Sequence, residues 1–306
     1  MPQVVLKLTS PVIAQMKKHY SSQLKPAPQH ASFAAKTNHC SITAYQSGKV
    51  LFQGSNPEAE SSKWGSPTAS SKPKASSKHG YHPASSLFTS SHIGSDEAGT
   101  GDYFGPVTVA AAYVTSHQIG HLKAIGVKDS KHLNDRQITE LAKELVQMKI
   151  PYSLLRLNNK KYNQWQKKGW TQGKMKTILH HQALMKLLDK ISPDKPEGIL
   201  VDQFSQPDVY QKHLKSEGLQ LQENIYFMTK AESYSIAVAA ASIMARSAFV
   251  KAMHQLEMDT GLAIPKGASP KVDQAAAEVI RHYGESKLDE VAKVHFANTE
   301  KAKKLV

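Results

Sequence analysis

The chain is 306 residues long, carries a net charge of +14 and is 40% hydrophobic. That length suits one large and one small domain, and the apolar content is ample for a packed core. The charge favours a polyanionic partner, with an anionic membrane surface as the weaker alternative. Cys40 is the only cysteine, which excludes an internal disulfide and a thiolate zinc site and fits a reducing compartment.

The first part of the chain reads as a small α+β module, residues 1–64. Residues 4–8 are strand-like, and Ser10 followed by Pro11 marks a helix start running to about Leu24. Three strands are expected at 32–36, 40–46 and 49–53, with Ser47-Gly48 as the tight turn between the last two. A short helix is expected from Asn56-Pro57 to about Trp64. Residues 1–90 hold ten Lys and no Arg against Glu58 and Glu60, so this end is proportionally the more basic. An auxiliary nucleic-acid-binding module would have that balance.

From Gly65 onward Ser, Lys, Pro, Gly and His dominate, and residues 65–87 read as a flexible linker. The main domain is expected over 88–306. Strands are expected at 91–96, 106–114, 152–157, 199–202 and 225–229. Apolar residues at steps of three and four give a helix over 134–148, and further helices are expected at 171–191, 234–254, 273–283 and 288–297. Strands joined by short turns and then alternating with helices argue for an α/β fold with a mixed sheet flanked by helices. The first residues break their apolar run at Lys7 and lack a signal-peptide core, and no window approaches a membrane span. A soluble, cytoplasmic protein is the expectation.

The chemistry lies in acidic residues at strand ends. Asp96, Asp202 and Glu232 each stand at or just beyond an apolar strand, and Glu97 follows Asp96 directly. If those strands are neighbours, four carboxylates converge at one sheet edge, a cluster hard to keep ionised without cations. Hard oxygen donors without Cys point to Mg²⁺ or Mn²⁺, and two such ions suit phosphodiester cleavage. Gly99-Thr100-Gly101, with Gly105 beyond, departs by one residue from a dinucleotide fingerprint and precedes a strand rather than a helix. Such a loop is either a tight turn or a place where backbone groups reach a sugar hydroxyl. Lys128, Ser130 and Lys131 in a loop, and Lys230 beside Glu232, suit phosphate contacts. His180-His181 reads as ordinary surface or packing rather than ligation, and Tyr162, Trp165 and Trp170 either stack on nucleic acid or pack in the fold.

These residues resemble the type 2 ribonuclease H family and, within it, the ribonuclease HIII branch. The matching stretches are Gly94-Ser95-Asp96-Glu97-Ala98-Gly99-Thr100-Gly101-Asp102-Tyr103-Phe104-Gly105-Pro106, Asp129-Ser130-Lys131, Val201-Asp202 and Thr229-Lys230-Ala231-Glu232-Ser233. Ala239 to Ala245 and His295-Phe296-Ala297-Asn298-Thr299 match as well. The resemblance implies an RNase H-like fold and metal-dependent endonucleolytic cleavage of the RNA strand of RNA/DNA hybrids, leaving 5′-phosphate and 3′-hydroxyl ends. It maps the four catalytic, metal-holding acids onto Asp96, Glu97, Asp202 and Glu232, and a 2′-hydroxyl-sensing loop onto Gly99-Thr100-Gly101. It also implies an N-terminal substrate-binding domain similar to the TATA-binding protein. No protein partner and no membrane are expected. A DNA nuclease of similar fold and a non-catalytic nucleic-acid-binding protein remain the alternatives.

Overall fold

The computed structural model describes residues 3–28, 31–65, 79–127 and 133–306. The chain divides into two compact units, residues 1–77 and 78–306. Residues 66–78, most of the expected linker, lie outside the described residues, as do Lys128, Ser130 and Lys131.

The first unit is a five-stranded antiparallel sheet. It comprises β1 (Gln3–Lys7), β2 (Leu24–Lys25), β3 (Ala31–Lys36), β4 (Cys40–Tyr45) and β5 (Lys49–Gly54), in the order β1-β5-β4-β3-β2. Among the described residues two helices complete it, α1 (Ser10–His19) and α2 (Pro57–Ser61). The period-2 alternation of β4 buries Cys40, Ile42 and Ala44, which join Leu6, Phe33, Val50 and Phe52 with Ile13 and Met16 of α1. The opposite face is left to solvent and carries Lys36, Ser41, Lys49 and Gln53. α1 stops five residues before the expected Leu24, because the chain turns through Ser21–Gln23 and Leu24 pairs with Ala35 instead.

The second unit is built on a mixed sheet of β6 (His92–Ala98), β7 (Val107–Val114), β8 (Tyr152–Leu157), β9 (Ile199–Asp202) and β10 (Ile225–Met228). The strand order is β10-β9-β6-β7-β8; β6, β7 and β8 form an antiparallel meander, while β9 and β10 run parallel to β6. Its helices are α3 (Ser116–Ala124), α4 (Asp135–Gln147), α5 (Asn159–Lys167), α6 (Gln172–Ile191), α7 (Pro207–Lys215), α8 (Ile236–Thr260), α9 (Pro270–Tyr283), α10 (Leu288–Val291) and α11 (Ala297–Lys303). The turn at Tyr81 belongs here too, since its carbonyl accepts from Phe227 N at 2.9 Å and its ring meets that of Phe227 edge-on.

β7 is buried on both faces. Val109, Ala111 and Tyr113 join the α6 side, while Ala110, Ala112 and Val114 join the α4 and α8 side. α8 lies against β6 at a distance only glycine permits: a Cβ on Gly94 would stand 2.1 Å from the backbone nitrogen of Val238. The run Ala237-Val238-Ala239-Ala240-Ala241 supplies the matching small surface.

Two expectations need correction. Contrary to the reading of the sequence, one segment, Ile236–Thr260, is long and apolar enough to cross a membrane; 72% of its most apolar window is buried inside the fold, so its apolarity serves the core. The helix expected over 288–297 ends at Val291. Ala292 is extended and bridges Phe104, carrying Lys293 into the interior.

Candidate active site

β6 distributes its side chains by strand alternation, and this decides what each acid meets. Gly94 and Asp96 face α8; Ser95 and Glu97 face α6. Asp96 is nine-tenths buried, accepts the backbone N–H of Glu97 at 2.7 Å and is hydrogen-bonded by the Ser242 side chain of α8. Burial first, then the charges of Glu97 and Asp202, raise its carboxyl well above the usual range.

Asp202 ends β9. Parallel pairing aligns Ser95 with Val201, so the next positions, Asp96 and Asp202, stand at the same level on adjacent strands. Leu200 packs with Val238 on the α8 side, so Asp202, two residues on, shares that face with Asp96. Its Oδ1 accepts the backbone N–H of Ala231 at 2.8 Å, which ties β9 to the 3-10 turn Ala231–Ser233. Glu232 sits in that turn, buried, with Ser233 Oγ donating to its Oε1 at 3.4 Å. Lys230 opens the turn in the left-handed region, φ 58°, and is exposed.

Glu97 is engaged differently. Lys176 Nζ donates to its Oε1 at 2.8 Å and His180 Nε2 to its Oε2 at 2.9 Å. Ser95 Oγ donates to the carbonyl of Ala110 at 3.0 Å and is hydrogen-bonded to His180 Nδ1 at 2.6 Å. The ring thus bridges Ser95 and Glu97 through its two nitrogens. Burial pushes the Glu97 carboxyl up, but the bonds and charges from His180 and Lys176 outweigh it and hold it below its usual value. Phe204, two residues past Asp202, lines the same corner, with Lys176 Nζ 4.1 Å from its ring centroid and the His180 ring 5.0 Å away.

The expected four-acid cluster is therefore only partly drawn together. Asp96, Asp202 and the turn of Glu232 share one side of the sheet edge, while Glu97 leans to the other. Among the described residues no three His, Cys, Asp or Glu side chains close tightly enough to hold a metal ion as they stand. The donor chemistry nonetheless fits a divalent cation: all four candidates are hard carboxylates, and the buried like charges around Asp96 are what a cation relieves.

The glycine loop borders this edge. Gly99 has φ +86°, and a Cβ there would stand 2.3 Å from the Pro106 carbonyl oxygen, so no other residue fits. Thr100 is half-buried and Gly101 exposed, with open space around it. Gln172, opening α6, donates to the Thr100 carbonyl at 2.9 Å and to the Tyr162 hydroxyl at 3.1 Å. Tyr162 is core; Trp165 and Trp170 are half-buried and packed on each other, with Lys161 and Lys174 over their rings.

Sequence reasoning missed Lys176, His180 and Gln172. The available signal was their spacing, since Lys176 and His180 stand four apart on one helix face. Without knowing that α6 crosses behind β6, nothing connects that face to Glu97.

A mixed sheet with carboxylates at the ends of β6 and β9, flanked by helices on both faces, defines a nuclease of the RNase H class. The family described as Ribonuclease HII matches residues 93–299, and a domain of unknown function, DUF3378, matches residues 3–77. Ribonuclease HIII of Oceanobacillus iheyensis is 58% identical over the whole of both chains, and that of Bacillus mycoides is 53% identical over 99% of this chain and 98% of its own. A crystal structure of Bst-RNase HIII in complex with Mn²⁺ aligns with a TM-score of 0.71 at 43% identity, covering 99% of each chain. The chain belongs to the ribonuclease HII family and, by its full-length relatives, to the ribonuclease HIII branch. It is a ribonuclease H, an endonuclease of a family that works with divalent metal.

Proposed function

We propose that this enzyme cleaves the RNA strand of RNA/DNA hybrids by hydrolysis, with two divalent cations, Mg²⁺ or Mn²⁺, held by Asp96, Glu97, Asp202 and Glu232. The observation that carries the reading is the level pairing of Asp96 and Asp202 on adjacent strands, with the Glu232 turn hydrogen-bonded to Asp202. When bound, divalent cations supply Lewis-acid polarisation of the scissile phosphate and neutralise charge on the departing 3′-oxygen. The chain itself does the positioning. Ser242 and the Glu97 N–H orient Asp96, the Ala231 N–H orients Asp202, and Lys176 with His180 restrains Glu97. Products carry 5′-phosphate and 3′-hydroxyl ends.

Selectivity for RNA requires contact with the 2′-hydroxyl, and Gly99-Thr100-Gly101 is the element assigned to it. Exposed Lys230, with Lys128, Ser130 and Lys131, is assigned to substrate phosphates. The basic N-terminal unit serves as an additional hybrid-binding module, and its open sheet face with Lys36, Lys49 and Gln53 is suited to a backbone. Incubating one RNA/DNA hybrid and the matched DNA duplex with Mg²⁺, Mn²⁺ or chelator, and reading product ends, tests this. Hybrid-only, metal-requiring cleavage is expected; cleavage of the duplex alone would assign the site to a DNA nuclease.

A further inference from the structure

The loop from Gly99 to Gly105 has one internal backbone hydrogen bond, from Asp102 N to Gly99 O at 3.4 Å. Its shape is imposed from behind. Gly267 N donates to Asp102 Oδ1 at 2.6 Å, Tyr103 N donates to Gly267 O at 2.9 Å, and Asn159 Nδ2 donates to Gly105 O at 2.8 Å. The largest share comes from one residue. Lys293 donates from its backbone N to Tyr103 O at 2.8 Å, and from Nζ to both Asp102 O at 2.7 Å and Gly105 O at 2.6 Å.

Lys293 has no exposed surface. Its side-chain hydrogen bonds end on loop carbonyls, and the Tyr162 ring centroid lies 5.9 Å from its nitrogen. Burial pulls the amine down to about 7, with Asp102 pulling it back up. A buried amine is an expensive way to fill space, and an apolar side chain of similar volume is often as stable or better. What an apolar chain cannot do is hold two carbonyls, three residues apart, on a single point.

We propose that Lys293 is the positioning residue of the sugar-reading loop: by tethering the carbonyls of Asp102 and Gly105 it sets the turn that presents Gly99-Thr100-Gly101 to the RNA strand. This rests on the assignment of that loop to the 2′-hydroxyl. Lys293 touches no substrate, and it acts through backbone alone. Loss of the tether widens the turn and blunts discrimination between ribose and deoxyribose while leaving phosphate contacts in place.

The test uses full-length Lys293→Met. Affinity for a fluorescent RNA/DNA hybrid and for the DNA duplex of the same sequence is read by anisotropy in chelator, alongside kcat/KM on the hybrid with Mg²⁺. The expected result is at least about a tenfold fall in kcat/KM and a narrowed hybrid-to-duplex affinity ratio, with thermal melting reported beside it. A ratio equal to the parent's in a folded variant overturns the proposal, whatever the change in melting. Should the Met variant not fold, Lys293→Gln carries the test, being shorter but still a double donor. A ratio between parent and none supports the tether, and a parental ratio overturns it. Gly101→Ala, whose added methyl meets nothing in the protein, separates the two readings. If it narrows the ratio and the Lys293 variants do not, the tether alone falls. If none of them does, the loop is not the sugar-reading element.

Discussion

The side chain of Asp202 accepts the backbone N–H of Ala231 at 2.8 Å, and this bond makes two strand ends one structural object. Asp202 closes β9, Ala231 opens the turn that carries Glu232, and Asp96 stands level with Asp202 on the neighbouring strand. Three acids spread over more than a hundred residues of chain thereby share one side of a sheet edge. The energetic consequence is repulsion stored around a buried Asp96.

Asp96→Asn should remove that repulsion and the metal's charge partner together. In chelator the variant should melt above the parent. With Mn²⁺ the parent should gain stability, roughly 2.7 kcal/mol at a hundredfold excess over Kd, while the variant gains far less. Cleavage should fall by about a thousandfold, as expected when several kcal/mol of transition-state stabilisation is lost. Parental turnover would remove Asp96 from the mechanism.

Lys176→Met and His180→Phe should each release one oxygen of Glu97. Residues that orient a metal-holding carboxylate typically contribute about 10–100-fold. The readout is kcat/KM against Mn²⁺ concentration, in which the variants should need more metal for half-maximal rate. A pure loss of stability with unchanged metal dependence would make the pair structural only.

Gly94→Ala inserts a methyl where α8 already touches β6. The helix must shift, at a cost of roughly 1–3 kcal/mol in urea-unfolding free energy. Because Ser242 on α8 holds Asp96, activity should fall more than stability explains. A variant with parental stability would mean that the helix backbone gives way more easily than its packing implies.

Lys293 makes a pH-dependent contribution of known sign. Its amine titrates near 7 in the folded chain and at about 10.4 unfolded. Between those values the unfolded chain binds the extra proton, so this residue's contribution to stability rises with pH across the window. The difference in unfolding free energy between parent and Lys293→Met should therefore move in the parent's favour from pH 6.5 to pH 9.5. No change between the two would place the folded amine's titration outside that window.

A chain restricted to residues 78–306 should keep most of its kcat but show a higher KM on long hybrids, with a shallower dependence of log affinity on log salt. Hybrid affinity unchanged across a salt titration would deny the N-terminal unit a binding role.

Much of this was legible in the residues themselves. The alternation in 40–45 and the run at 107–114, apolar but for Thr108, announce one half-buried and one fully buried strand, because side-chain period follows backbone geometry. The Asp96-Glu97 pair before the glycine turn, and the acids at 202 and 232, name their chemistry by type and place at strand ends. Helices α3, α5 and α7 went unread, each being only nine residues long, too short a run for a helical period to stand out.

What the sequence by itself determined is the local vocabulary: strands, helices, hard oxygen donors and a loop that only glycine can make. Tertiary structure alone decided which of these meet. That α6 crosses behind β6 gives Glu97 its partners Lys176 and His180, and that the chain breaks after Val291 sends Lys293 inward to the loop. Both are contacts between segments far apart in sequence, set by how layers pack and by where a buried charge can find its hydrogen bonds. No period along the chain encodes either.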